Sequence, residues 1–230
     1  MKFISQLVTA ASGSIRGCTA SRNRYGAYMR GRVIPVNPGS AEQNAVRGIL
    51  ANLVARWSGT LTPAERAAFE TWAANTPQTD SLGQSITITG QNAYIKMNAP
   101  RLQAGLAALD TAPTIFSGSA LTPPVLTIAD QSDQLYTFTI NVADEWATDD
   151  DARLLVYVGR PQNPSVNFFK GPYQFAEALS GSSGAPLTSP KTAAAVFPFV
   201  AGQMMHVQFR ALAVDGRISS AVRSSIIAVA

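Results

Sequence analysis

One cysteine and one histidine, Cys18 and His206, stand in 230 residues. A single thiol excludes an internal disulfide and a thiolate-held metal cluster. It agrees with assembly in a reducing cytoplasm. The lone imidazole sits in the apolar run Met204-Met205-His206-Val207-Gln208-Phe209, without the partners that a histidine-activated nucleophile or a zinc site requires. It is expected to be a strand residue facing solvent or an interface. Charge is scarce as well: 14% of residues, against about a quarter in ordinary soluble domains. So uncharged a surface is easier to bury against protein than to leave in water, which suits a subunit of an assembly. No apolar run approaches the ~20 residues of a membrane helix, and no membrane contact is expected. Near the start, Ser5 and Gln6 interrupt the apolar stretch, which is too short and too polar for a secretory h-region. A Walker-type glycine loop, an internal repeat and a low-complexity tract are all missing. The expectation is a non-enzymatic protein with no cofactor and no metal.

The charge that is present is uneven. Through residue 60 the basic residues are Lys2, Arg16, Arg22, Arg24, Arg30, Arg32, Arg47 and Arg56, and the only acid is Glu42. The remainder is acidic on balance, although the whole chain carries +4. A basic front on an acidic body fits head-to-tail contact between copies or contact with an acidic partner. Five of the arginines fall in residues 14–37, beside Tyr25 and Tyr28, with neither lysine nor acid among them. Guanidinium groups bind carboxylates and phosphates in a planar, two-pronged way and stack on aromatic rings. Alternate arginines of an extended arm would project on a common side. Arg16, Arg22, Arg24, Tyr25, Tyr28, Arg30 and Arg32 are therefore the candidate partner-binding residues. Docking to an acidic protein surface is favoured over nucleic-acid contact and over plain solvation of a hairpin.

The pattern along the chain predicts an α+β protein divided near residue 112. Residues 14–36 suit a β-hairpin or paired arms, with a turn at Asn23–Gly26. Pro35 and Pro38 stiffen the connection to the first helix. That helix is expected from about Ser40 to Trp57, Ser40 capping it and Val46, Ile49, Leu50, Leu53, Val54 and Trp57 forming one apolar stripe. A second opens at Thr62-Pro63-Ala64-Glu65, a capping box with proline at the first helical position. Its inward face is Ala68, Phe69, Trp72 and Ala73, and the short link predicts an antiparallel helical hairpin. Ser85–Ile88 alternates like a strand. A third helix is expected over about 91–109, kinked or split by Pro100. Residues 111–124 resemble a linker.

Beyond it come seven strand candidates, at 125–129, 134–142, 153–160, 165–171, 194–199, 204–213 and 217–229. That many short strands in about 110 residues argue for a β-sandwich. Asp215-Gly216 suits a type I′ hairpin turn. Residues 181–186 are expected to be a loop. Asp144, Glu145, Asp149, Asp150 and Asp151 are the densest acidic cluster. They lack the glycine and terminal glutamate of an EF-hand, so a solvated loop is favoured over calcium. An acidic patch receiving a neighbour's arginines is a third use. Trp146, Phe168, Phe169 and Tyr173 are available should the sandwich bind glycans.

Gly13 to Ser21, the alternation Arg22, Arg24, Gly26, Tyr28, Arg30, the run Pro35-Val36-Asn37-Pro38, Gln43 with Arg47, and the pair Trp57…Leu61-Thr62…Arg66…Trp72 together resemble an uncharacterised group of proteins encoded by tailed phages and prophages. The stretch from Ile88 to Leu106 is similar to the same group, so the likeness covers about half of the chain. The tail from Leu212 to Arg223 is similar to the last hairpin of fibronectin type III or immunoglobulin-like domains. The resemblance implies a virion structural protein, assembled in the host cytoplasm in several copies, that contacts capsid, neck or tail subunits and has no catalytic residue. It implies an anchoring region over 1–112, with basic hairpin, helical hairpin and third helix, and an immunoglobulin-like sandwich over 113–230. Nucleic-acid binding by the same arginines, or glycan binding on a phage fibre, are the alternatives.

Overall fold

The computed structural model describes residues 13–23, 26–34, 36–79, 84–185 and 187–230. The protein is α+β, and its chain gathers into two compact units, Met1–Asn44 and Ala45–Ala230.

The first unit is a small antiparallel sheet of β1 (Gly13–Ile15), β2 (Cys18–Asn23) and β3 (Gly26–Gly31), in that order. It has three strands where the sequence suggested a two-stranded hairpin. The additional turn is tight: Ile15 pairs with Cys18, and Arg16 takes a positive φ of 50°, a conformation that usually favours glycine. The Arg32 N–H donates to the Gly17 carbonyl at 2.8 Å, fastening the end of β3 to that turn. Asn23 pairs with Gly26, flanking Arg24 and Tyr25, which lie outside the described residues. Nothing in this unit whose burial is described is buried.

The two expected helices follow, α1 (Ala41–Gly59), which begins just before the second unit, and α2 (Pro63–Asn75), but they do not pack along each other as the antiparallel hairpin that the short link predicts. The Thr62 hydroxyl accepts from the Glu65 N–H at 3.3 Å, and the Thr62 N–H donates to Glu65 Oε2 at 2.7 Å, so each residue satisfies a helix-end group of the other. A short pair comes next, β4 (Gln78–Thr79) with β5 (Ser85–Ile86), then α3 (Gly90–Gln103). Leu53, Leu61, Phe69, Trp72, Ala73, Ala93, Tyr94 and Met97 make the helical core. The ring of Trp57 packs 6.3 Å from Phe69 and 5.7 Å from Tyr94. Two further expectations fail here. The stripe on α1 is divided, with Leu53 buried but Val46, Leu50 and Val54 exposed, and Ala68 on α2 is exposed.

Pro100 does not split α3. It lies in the last turn, and the helix stops at Gln103 rather than near 109. The end is a Schellman motif: Gly105, at φ 78°, donates to the Leu102 carbonyl at 3.2 Å, and Leu106 donates to the Arg101 carbonyl at 2.8 Å. The segment after it is pinned rather than free. The Asn98 side chain exchanges hydrogen bonds with the Leu109 backbone, at 2.7 and 3.0 Å, and the Trp72 indole donates to the Ile115 carbonyl at 3.0 Å.

Among the described residues that follow are seven strands: β6 (Val125–Asp130), β7 (Leu135–Thr139), β8 (Arg153–Gly159), β9 (Tyr173–Ser180), β10 (Lys191–Ala194), β11 (Met204–Leu212) and β12 (Val222–Ile227). They make two antiparallel sheets, ordered β10-β7-β6 and β12-β11-β8-β9. Between them lies one core that includes Tyr136, Phe138, Trp146, Leu154, Val156, Met205, Val207 and Phe209. Alternation along the strands places all of these but Trp146 inward; Trp146 enters the core from a short 3-10 turn, Glu145–Ala147. The expected strand at 165–171 is irregular; β9 lies just after it, and β10 precedes most of the expected 194–199 run. Nor is the Asp215-Gly216 turn type I′. The Gly216 N–H donates to the Ala213 carbonyl at 3.0 Å, Gly216 alone has a positive φ, and Ala213 N–H donates to the Arg217 carbonyl at 2.9 Å. That is the three-residue loop closed by a left-handed glycine.

Candidate functional site

The arginines of the first sheet are placed by its register. Thr19 pairs with Arg30 and Ser21 with Tyr28, so these four share one row of the pleat. Arg22 pairs with Ala27, one step out of that row. Of the arginines whose side chains are described, only Arg30 lies within a strand; the β1–β2 turn and the end of β3 take the others. Arg16 sits at that turn, and Arg16, Arg30 and Arg32 are exposed, with Tyr28 half-buried. Among the described residues their guanidinium groups make no ion pair. Arg24 and Tyr25 lie outside the described residues.

Three other candidates are resolved by their surroundings. His206 does not face solvent. It is buried, stacks on Phe169 at 5.4 Å, and donates through Nε2 to the Val166 carbonyl at 3.2 Å. Burial holds its imidazole below the usual histidine range. The acidic cluster is spread over separate hydrogen-bond sets. Asp144 accepts from the Thr122 hydroxyl at 2.6 Å and Asn141 at 3.0 Å, while Asp150 accepts from the Ser183 hydroxyl at 2.7 Å. The Ser183 bonds hold the Asp150 carboxyl below the usual range. Glu145 instead accepts from Arg217 at 2.9 Å, and Arg217 also binds Asp215 at 2.6 Å. No group of three or more metal-ligating side chains is found among the described residues. Of the four aromatic residues considered for glycan contact, Trp146 is fully buried and only Phe168 is well exposed, at 71%.

One arrangement escaped the sequence. Lys96 on α3 and Arg210 on β11 line the same cleft although 114 positions apart. Neither stands in a motif, and only the packing of α3 beside β11 could bring them together.

Among the described residues, no helix is long and apolar enough to cross a membrane. No family model, curated protein or solved structure matches the chain.

Proposed function

We propose that this chain is a non-enzymatic structural protein of a tailed-phage virion, docking to other virion proteins through its arginine-bearing sheet. One observation carries the reading. Among the described residues, the β1–β3 sheet and the residue after it have no buried side chain, and Arg16, Arg30 and Arg32 are displayed there without carboxylate partners. Small sheets gain stability by packing a face against something else, and unpaired guanidinium groups gain most from planar carboxylate partners. Val33, Ile34 and Val36, all more than three-quarters exposed, extend the surface with apolar area. In this reading burial of apolar surface holds the subunit and arginine–carboxylate pairs set its register.

The second part of the reading is an immunoglobulin-like sandwich over 113–230. Its support is the strand order. Labelled A to G by position, β6, β7 and β10 make an A-B-E sheet, and β12, β11, β8 and β9 make G-F-C with an added edge strand beside C. The immunoglobulin arrangement pairs A, B and E against C, F and G in the same way.

The test is a phage carrying R30E and R32E together. Incorporation of the variant into particles, read by quantitative immunoblot, is expected to fall at least ~10-fold, the loss of one or two charge-assisted contacts. Wild-type incorporation would remove the reading. Titrating salt against duplex DNA binding separates the nucleic-acid alternative, which demands a steep negative slope in log affinity.

A further inference from the structure

A cleft of about 600 Å³ opens between the end of α2, α3, the 116–118 segment and β11 with the residues after its turn. The volume is that of a small-molecule site. Two cations line it, Lys96 and Arg210, and among the described residues no carboxylate does. On β11, Met205, Val207, Phe209 and Ala211 fill the core, so Arg210 takes the opposite face. Among the described residues its guanidinium has no hydrogen bond and no ion pair. The Lys96 ammonium donates to the side-chain oxygen of Gln78. Two like charges in a half-buried cleft repel each other and lose hydration. Burial first, then Arg210, hold the Lys96 ammonium below the usual lysine range. An anion between them would relieve both costs.

The rest of the lining narrows the ligand. Polar and apolar groups are mixed: Asn75, Ser117 and Ser220 can exchange hydrogen bonds with hydroxyls, and the half-exposed ring of Phe116 offers an apolar face. We propose that the cleft binds a small hydroxylated ring bearing one carboxylate or phosphate, with the anionic group held between Lys96 and Arg210. The guanidinium supplies a two-pronged contact and the ammonium a point charge.

The test is calorimetric titration of the full chain with glucuronate, glucose 6-phosphate and glucose. Saturable binding of either charged ring, with glucose at least ~10-fold weaker, is expected, because a charge-assisted contact is worth about that factor. Glucuronate alone would identify the carboxylate form, and glucose 6-phosphate alone the phosphate form. K96Q and R210Q are each expected to weaken binding ~10-fold or more. R210K keeps the charge but not the fork, and should weaken binding with an unchanged thermal melt even if R210Q folds poorly. No saturation by either charged ring up to ~20 mM, equal binding of glucose, or unaltered affinity in K96Q and R210K would overturn the proposal.

Discussion

Arg101 on α3 donates through Nη1 to the Val214 carbonyl at 2.9 Å, across 113 positions of sequence. The same guanidinium donates through Nε to the Ala107 carbonyl at 3.0 Å. The side chain is almost wholly buried, and burial draws its pKa down from the usual arginine value. A buried charge persists only where its donors are used. Here they bind the chain after α3 to the hairpin after β11. R101A leaves both carbonyls without this donor in a buried setting, and should cost about 2–4 kcal/mol. R101K cannot serve two diverging acceptors at once and should recover only part. Urea unfolding followed by tryptophan fluorescence measures both. A loss under ~0.5 kcal/mol for R101A would mean that water replaces the guanidinium without cost.

Gly181 shows why a loop that reads as ordinary can be demanding. A Cβ built there would lie 2.1 Å from the Trp146 carbonyl oxygen and 2.3 Å from that of Asp149. Both are backbone atoms, held by the Gly181 N–H bond to Ala152 at 3.1 Å and by the Ser182 N–H bond to Ala147 at 3.1 Å. G181A should therefore cost about 3 kcal/mol or more, at the upper end of overpacking effects. Gly184, three residues away, has nothing within 4 Å of such a Cβ. G184A should stay within about 0.5 kcal/mol of wild type. Equal thermal midpoints for the two variants would refute the close approach.

Much of this fold was legible in sequence where a local rule and the tertiary environment agree. Thr62, Pro63 and Glu65 announce α2 because capping is decided within four residues. Strand β7 was legible because one of its faces fills a core and alternation results, whereas β8 and β11 stood out as apolar runs with consecutive buried residues. Strand β9 was hidden: most of its residues are half-buried, so no alternation stands out. Phe168 and Phe169 drew the expected strand forward to 165–171, yet Phe169 lies over His206 as part of a loop. The Schellman stop at Gly105 was present in the sequence, but Leu106 and Leu109 continued the helical period past it and masked the end. The arginine segment was visible as composition, whereas the Arg16 turn that makes three strands of it needs a non-glycine residue at positive φ, which no propensity favours. Lys96 and Arg210 come from separate elements, and nothing local pairs them.

The burial of His206 makes stability depend on pH. Its imidazole is held below its unfolded value near 6.5. Between the two values the unfolded chain binds a proton that the folded chain does not, so stability increases with pH there. The contribution is complete above about 6.5, and is lost as pH falls through the folded value. In H206Q this contribution is absent, while the carboxylates titrate as before. Urea midpoints at pH 7.5 and at pH 5 should therefore differ more in wild type than in H206Q. Parallel pH profiles for the two proteins would show that the ring accepts a proton without leaving its stack on Phe169.

The Thr62–Glu65 pair is a coupled device rather than two separate contacts. The Thr62 hydroxyl accepts from the Glu65 N–H, and Glu65 Oε2 receives both the Thr62 N–H at 2.7 Å and the Thr62 hydroxyl at 2.8 Å. Removing the hydroxyl frees one helix-end donor and loosens the carboxylate that caps the other. T62A should cost about 1 kcal/mol, within the range for lost N-caps, and T62S should restore most of it. E65A should cost less, since its carboxylate is partly solvated. In a double-mutant cycle the T62A/E65A protein should be more stable than the sum of the single losses requires, with a coupling of about 0.5 kcal/mol or more. Strict additivity would mean that the reciprocal hydrogen bonds act independently, and that α2 is started by Pro63 and by burial of Phe69 and Trp72 rather than by its cap.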